Sequence, residues 1–539
     1  MNDTPPADAP AGDSPPPSVD TDRYTFTDRG PWIIDRDRVS WGRGLPVIRM
    51  TIRRQVPVLT GRRRLPPPVR LAEVTARLAV AAGGWVVKDR RRGAPSSRAG
   101  LSRRLRLAAE HLGPTYIKLG QIISSGEGLF PAELVDEFRK CRDQVRAEPF
   151  DTVRRVIEED LGRTLEEVFS SFDPEPLAAA SIAQVHVARL ATGEEVVVKV
   201  QRPTIRQQVQ SDLKVMSWLA PFLVGRIPVA ALANPPALVE LFAETILEEL
   251  DFRLEAENML DVAEVFAELD QRGWIIARPH PELVTRRVLV MERLSGFAFE
   301  DLASMQAAGI DTHEIIRIGM KGFTEGCIVH GIFHGDLHAG NLFVTPDGRI
   351  ALLDFGITAR MTPLQRSAFL RMMLYGAMGD IPGQIAAFRD LGALPADTDI
   401  DEVIRELGLD KAPVDPTTLS QDQLVGEIQR IIKALMGMGA RLPKILMLYV
   451  KNLVFLDGAI AVLAPDLDLV AEVASLSSGL ATAHGERFAT ELGVSADGFV
   501  VDEAAIRASF GIVDDSTEGV TYSELRRRRE TIRRRLDRR

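Results

Sequence analysis

The stretch FHGDLHAGNLFVTPDGRIALLDFG, residues 333–356, constrains this chain more than any other. Asp336 and Asn341 lie five residues apart, and Asp354 follows thirteen after Asn341. Phosphoryl transfer from a nucleoside triphosphate asks little covalent chemistry of a protein and much positioning and charge management. Magnesium takes oxygen ligands and keeps part of its water, so a carboxamide oxygen and a carboxylate converging from neighbouring segments suit it. Asn341 and Asp354 are therefore the candidate metal ligands. Asp336 is the candidate catalytic carboxylate, placed to orient an attacking hydroxyl or water.

The nucleotide grip is expected upstream. Lys199 closes the run Val196-Val197-Val198, the pattern of a phosphate-pairing strand lysine. An ammonium on an apolar strand needs anionic partners, here α- and β-phosphates and a helix carboxylate. The helical stretch LEELDFRLEAENM offers Glu255, with Glu249 and Asp251 as a nearby acidic pair. The interval from Lys199 to Glu255 is 56 residues, which predicts helices inserted into a small lobe. Ahead of the lysine, where a Gly-rich phosphate loop would lie, the chain reads Ala178-Ala179-Ala180-Ser181-Ile182-Ala183-Gln184. Alanine costs roughly 0.5–1 kcal/mol wherever φ must be positive, so this is either a stiffer phosphate flap or a small-residue packing turn. Glu292, closing RRVLVME, is placed with Lys199, Glu255 and the Ala-rich loop in the ATP-binding set. His338 occupies the position where protein kinases usually carry lysine. It reads as a donor to a γ-phosphate, placed with Asp336 in the catalytic set, or equally as a loop-holding residue, while His334 reads as structural.

Hydropathy patterning predicts a hairpin, QVHVARL–ATGE–EVVVKVQ, inside otherwise helical sequence from residue 101 to about 268. RRVLVMERLSG resumes strand character, and helices then dominate to about 480 around two short strands, LFV–TPDG–RIALL. A small β-containing lobe followed by a larger helical one is the coarse picture. Residues 1–30 are acidic and Pro-rich and are expected to be disordered. Residues 31–107 form a basic extension of short helices joined by turns such as Pro66-Pro67-Pro68. Arginines crowd there (Arg62-Arg63-Arg64, Arg90-Arg91-Arg92) and again in the tail YSELRRRRETIRRRLDRR, although the net charge is −9. These basic ends are read as solvated, as a match for anionic lipid, or as nucleic-acid contacts, and the overall acidity argues against a generic polyanion binder. Cys141 and Cys327 make no metal-ligand spacing and suit a reducing cytoplasm. Of the apolar stretches, 74–87 is too short, 215–240 contains Arg226 and several prolines, and 443–465 contains Lys444, Lys451 and Asp457, so no membrane-spanning helix is expected and any membrane attachment would be peripheral.

Three features together resemble the UbiB family of atypical kinase-like proteins, the aarF-domain-containing kinases. They are Lys118-Leu119-Gly120-Gln121 within PTYIKLGQIISS, the Ala-rich loop, and ELDFRLEA. The match spans residues 100–370 and extends to about 480. The resemblance implies an α+β, bilobal protein kinase-like fold. Residues 108–170 would be a helical cover over the active site, 171–295 an N-lobe with inserted helices, and 296–480 a helical C-lobe, with 481–539 a C-terminal extension. It further implies that Lys118, Gln121, Glu249 and Asp251 hold the cover, and that ATP (or ADP) and Mg2+ are the cofactors. The family's association with ATPase activity, membrane binding and isoprenoid quinone or related lipid metabolism makes a nucleotide, an anionic membrane surface and an isoprenoid lipid the expected partners, with no specific nucleic acid. The chain departs from the family at Gly126-Glu127-Gly128, where many members carry Arg and Asp, and at Leu337 and Ala339, where proline is frequent. No Ala-Pro-Glu segment follows Asp-Phe-Gly, which leaves no activation loop and argues against phosphorylation of a protein in trans.

The expected function is an ATP-binding, Mg-dependent atypical kinase or ATPase acting in quinone or other lipid metabolism. HGDLHAGN resembles aminoglycoside and choline phosphotransferases as closely, so a small-molecule kinase is one alternative. A nucleotide-sensing scaffold with negligible turnover is the other.

Overall fold

The structure is a computed structural model that describes residues 36, 39–61, 65–91, 94–124, 131–141, 146–223, 235–410, 430–431, 434–435, 437–440, 443–492, 521–527 and 530. The acidic N-terminus at 1–30, Arg62-Arg63-Arg64, Arg92, Gly126-Glu127-Gly128 and most of the Arg-rich tail lie outside the described residues. Four helices come first: α1 (Leu45–Thr60), α2 (Pro68–Lys88), α3 (Ala94–Leu112) and α4 (Pro114–Ser124). α1 to α3 run longer than the short helices expected, since most of the prolines there fall at helix starts or between helices, although Pro57 lies inside α1. Pro68 and Pro114 open α2 and α4, where a missing N–H breaks no helical bond. Three more helices follow: α5 (Ala132–Phe138), α6 (Phe150–Leu161) and α7 (Leu165–Val168).

The small lobe is built on β1 (Phe169–Phe172), β2 (Ala178–Ala179), β3 (Ala183–Leu190) and β4 (Glu195–Gln201). After the inserted helices α8 (Ile205–Leu223), α9 (Pro235–Glu249) and α10 (Phe252–Glu268), β5 (Trp274–Ile276) crosses to the other lobe. Then β6 (Pro279–Val284) and β7 (Val288–Glu292) complete the sheet. Its order is β1-β3-β4-β7-β6, all antiparallel, with β2 bonded to β3. Side chains alternate across a strand, and both faces of β4 are covered. Val196, Val198 and Val200 join Val288 and Val290 in a closed core under Val153, Val156 and Ile157 of α6 and Leu165 and Val168 of α7. Val197, Leu289 and Met291 face the opposite way into the main core. Of residues 108–170, expected as cover, α6 and α7 therefore pack on the outer face of the sheet, because their apolar stripes complete that core.

The large lobe carries a sheet in the order β5-β11-β10-β8 and a pair, β9 with β12. Its strands are β8 (Phe297–Ala298), β9 (Ile332–His334), β10 (Leu342–Val344), β11 (Ile350–Leu352) and β12 (Thr358–Arg360). Around them stand α11 (Leu302–Ala307), α12 (Thr312–Glu325), α13 (Pro363–Ala377), α14 (Ile381–Asp390), α15 (Ile400–Leu407), α16 (Lys444–Leu463) and α17 (Leu469–Leu492). The chain is thus a bilobal, kinase-like α+β fold. α13 begins three residues after β12, locked by a capping box between Thr362 and Gln365, so Asp-Phe-Gly leads at once into helix.

The basic extension has a use that sequence reading left out. Arg70 bonds Asp212, which is fully buried on α8, at 2.6 Å, and Arg49 bonds Glu257 on α10 at 2.5 Å. Arg36 reaches Asp261 at 2.6 Å, and Arg106 pairs with Glu110 and Glu137 at 2.6 and 3.2 Å. Part of the positive charge of the extension is therefore met by acids elsewhere in the molecule. The described start of the tail is likewise docked, with Tyr522 Oη donating to the Asp457 carbonyl at 2.8 Å. Among the described residues one helix, α16, is long and apolar enough to cross a membrane by length and composition. Its middle turn is bonded to the large lobe's catalytic-type loop, as described next.

Candidate functional site

β4 turns Lys199 toward the cleft, opposite Leu289 of β7. Lys199 Nζ donates to Glu255 Oε1 of α10 at 2.6 Å and lies 3.6 Å from Asp354 Oδ2. Burial pulls the ammonium toward neutrality, but Asp354 and Glu255 outweigh it and raise its pKa. Glu255, which is buried, is raised in turn by desolvation and held down mainly by Lys199.

Asp354 follows β11. Its Oδ1 accepts the Gly356 N–H at 2.8 Å, and its side chain is 46% exposed toward the cleft. Partial desolvation by the surrounding protein opposes ionisation, yet Lys199 and Lys118 bring the carboxyl down to about 2. Phe355 is fully buried with its ring edge-on to His334, and its carbonyl accepts from Asn258 Nδ2 at 2.7 Å. His334 is structural, as its sequence position suggests. Its Nε2 donates to the Asp354 carbonyl while its Nδ1 accepts the Asp336 N–H at 3.1 Å, so one neutral ring ties the two acidic segments together. Gly335 is required there, because a Cβ would meet Ile357 Cγ2 at 2.7 Å.

Asp336 meets Lys451 of α16, whose Nζ donates to Oδ1. Burial works against its charge, and Lys451, Lys118 and His338 overcome it, leaving the carboxyl well below the usual range. Asn341 is buried and donates from Nδ2 to the Asp336 carbonyl at 3.1 Å, which fixes the carboxamide in its plane. His338 is exposed, and its carbonyl accepts the Asn341 N–H at 2.9 Å. Asn341 Oδ1 and the Asp354 carboxylate are hard oxygen donors of the kind Mg2+ selects, and the crowd of acids around them fits a cation. Among the described residues no group of three or more His, Cys, Asp or Glu is placed to hold a metal ion, so such a site would rest on Asn341 and Asp354 together with phosphate and water oxygens.

Helix α4 reaches this site. Lys118 Nζ lies 3.1 Å from Glu249 Oε1 at the end of α9, and its charge acts on both Asp336 and Asp354. Gly120 lets α4 press against α5, since a Cβ would meet the Phe138 ring at 2.5 Å. Gln121 is half-buried on the same helix, its carbonyl accepting from Ser124 Oγ at 2.7 Å. Desolvation, with Asp354 and Asp336 nearby, pushes Glu249 up to about 7 against the pull of Lys118. A carboxyl raised from 4.5 in the unfolded chain binds more protons when folded, so its contribution to stability falls as pH climbs from about 4.5 through 7. Glu249→Gln is therefore expected to melt progressively higher than the wild type as pH rises from 5 to 8. Parallel melting curves across that range would contradict the assignment.

Two site residues expected from sequence are placed otherwise. Asp251 does not join Lys118: it caps α10 and grips Arg253 at 2.6 and 2.8 Å, because it is the residue at which α9 gives way to α10. Glu292 points to the sheet face opposite Lys199 and is held by Arg278 at 3.0 Å, since it pairs with Val196 and strand faces alternate. The Ala-rich segment is partly strand, with Ala178 and Ala179 bonded to β3 and the Ala180 N–H donating to the Ala183 carbonyl at 2.8 Å. Ser181 and Ala183 are buried in its turn. Arg202 locks this turn by donating from Nε to the Ala180 carbonyl at 3.0 Å and from its N–H to Ile182. Sequence reading missed Arg202, Asn258, Lys451 and Asn452. Only the last two left a signal, an adjacent polar pair inside an apolar helix.

Residues 140–383 match the family model of the ABC1 atypical kinase-like domain. An uncharacterised protein of Mycobacterium tuberculosis is 34% identical over 469 residues, covering 83% of this chain and 93% of that one. A chloroplastic aarF domain-containing protein kinase of Arabidopsis thaliana is 32% identical over 68% of this chain and 72% of its own. A protein named as a UbiB protein kinase from Vibrio parahaemolyticus is 32% identical, covering 68% of each.

Proposed function

We propose, on the premise that this chain belongs to the ABC1 or UbiB family of atypical kinase-like proteins, that it binds ATP with magnesium and moves the γ-phosphoryl group behind a helical cover. One observation carries the reading: Lys199 stands between Glu255 and Asp354 while Lys118 and Glu249 pair beside them. Lys199 would bind the α- and β-phosphates, with Glu255 keeping its ammonium in register. Asn341 and Asp354 would hold Mg2+, which supplies charge neutralisation to phosphate oxygens when bound. Asp336 would take the proton of the attacking hydroxyl or water. The α4 cover limits what can approach, and that favours a small or lipid-borne acceptor, or water, over a protein substrate. Quinone or other isoprenoid lipid chemistry at a membrane surface is the physiological setting this reading extends to.

The test is phosphate release from ATP by the full chain with Mg2+, with EDTA, and with or without anionic liposomes. Metal-dependent release, raised by liposomes that also sediment the protein, is the expected result. Nucleotide binding with no release under any condition would replace this reading with the scaffold. Phosphate recovered on a small alcohol would replace it with a small-molecule kinase.

A further inference from the structure

The geometry points to Lys451 as the positioning residue for Asp336, a role that rests on the phosphoryl-transfer reading above. Lys451 lies in the middle of α16, one of the most apolar stretches of the chain, and an ammonium there needs a strong anionic partner. Its partner is Asp336, 115 residues earlier, and both side chains are more than four-fifths buried. The next residue, Asn452, is fully buried and clamps the same loop by its backbone. Its Nδ2 donates to the His334 carbonyl, and its Oδ1 accepts the Leu337 N–H at 3.1 Å. Consecutive helix residues diverge by about 100°. One can therefore fix the loop backbone while the other reaches the side chain at its centre.

Two residues after Asp336, where a kinase loop would place an ammonium, stands exposed His338. The cation beside the catalytic carboxylate comes instead from α16, 115 residues later in the chain. Lys451 occupies Oδ1 and so leaves Oδ2 of Asp336 to the nucleophile. In the step this serves, the hydroxyl or water gives its proton to Oδ2 and its oxygen bonds to the γ-phosphorus. The bond from phosphorus to the β-phosphate oxygen breaks, and its electron pair leaves with the nucleoside diphosphate.

The experiment is a cycle of Lys451→Met, Asp336→Asn and the double variant, with Lys451→Arg alongside. Turnover of Mg-ATP is read with KM, Mg-ADP affinity by calorimetry, and melting temperature. Lys451→Met is expected to lower kcat on the order of 100-fold and to change Mg-ADP affinity by less than about threefold. Lys451→Arg should recover part of that loss, and the double variant should be no slower than Asp336→Asn alone. Lys451→Gln repeats the measurement should the methionine variant fail to fold. Losses that multiply in the double variant, or a Lys451→Met enzyme within about threefold of wild type, overturn the inference while leaving the proposed function standing. A wild type that releases no phosphate overturns both.

Discussion

Asp354→Asn is expected to reduce metal-dependent phosphate release by roughly 10³-fold, the equivalent of about 4 kcal/mol in the barrier. The carboxylate is the one fully charged candidate ligand, and a carboxamide in its place keeps the shape but loses the charge that holds a hard dication. The fold should survive, because an amide oxygen can still accept the Gly356 N–H that Oδ1 now accepts, and the side chain is nearly half exposed. Two neighbours report the change independently of turnover. Lys199 loses one of its two nearby anions but keeps Glu255, and Glu249 loses a like charge that helps to raise it. The pH-dependent melting assigned to Glu249 should accordingly move to lower pH in the variant. Phosphate release at the wild-type rate would remove Asp354 from the metal site.

Asn452→Ala is expected to cost about 2–5 kcal/mol of stability, more than a typical single substitution. The carboxamide is fully buried and satisfies the His334 carbonyl and the Leu337 N–H, so its loss orphans two backbone groups on buried residues. Each such group costs about 1–3 kcal/mol. The damage should be directional as well. His334 links Asp336 to Asp354, so freeing its carbonyl loosens both acids, and activity should fall further than stability alone explains. Chemical denaturation of the full chain gives the first quantity, and phosphate release well below the unfolding transition gives the second. A variant as stable as wild type would mean that another group takes over the two bonds.

The legible part of the site was local. Lys199 was readable because it closes a β-branched run, whereas Glu255 was one acid among several on an acidic helix and became the choice through the family resemblance; their pairing neutralises a charge that burial cannot leave alone. Asp251 misled because the same acidic cluster also contains a helix boundary, and an aspartate at a boundary serves the orphan N–H groups first. Glu292 misled because strand faces are set by register with β4, and the sequence of β7 does not state which of its residues faces Val196. Most of the missed strands, such as β8, β9 and β12, have two or three residues, too short for alternation to show.

Sequence by itself determined the candidate groups: an acid, an amide and an acid at loop spacings, a strand lysine, and the segments that form helices and hairpins. These follow from local spacing, which backbone geometry converts directly into local structure. Only the tertiary structure decided which charges meet. Arg49 and Arg70 face acids on α10 and α8, and Lys451 finds Asp336 across 115 residues. The reason is desolvation. A charge in a closed interior is tolerated only against a partner, and which partner lies within reach depends on how helices distant in sequence pack against one another.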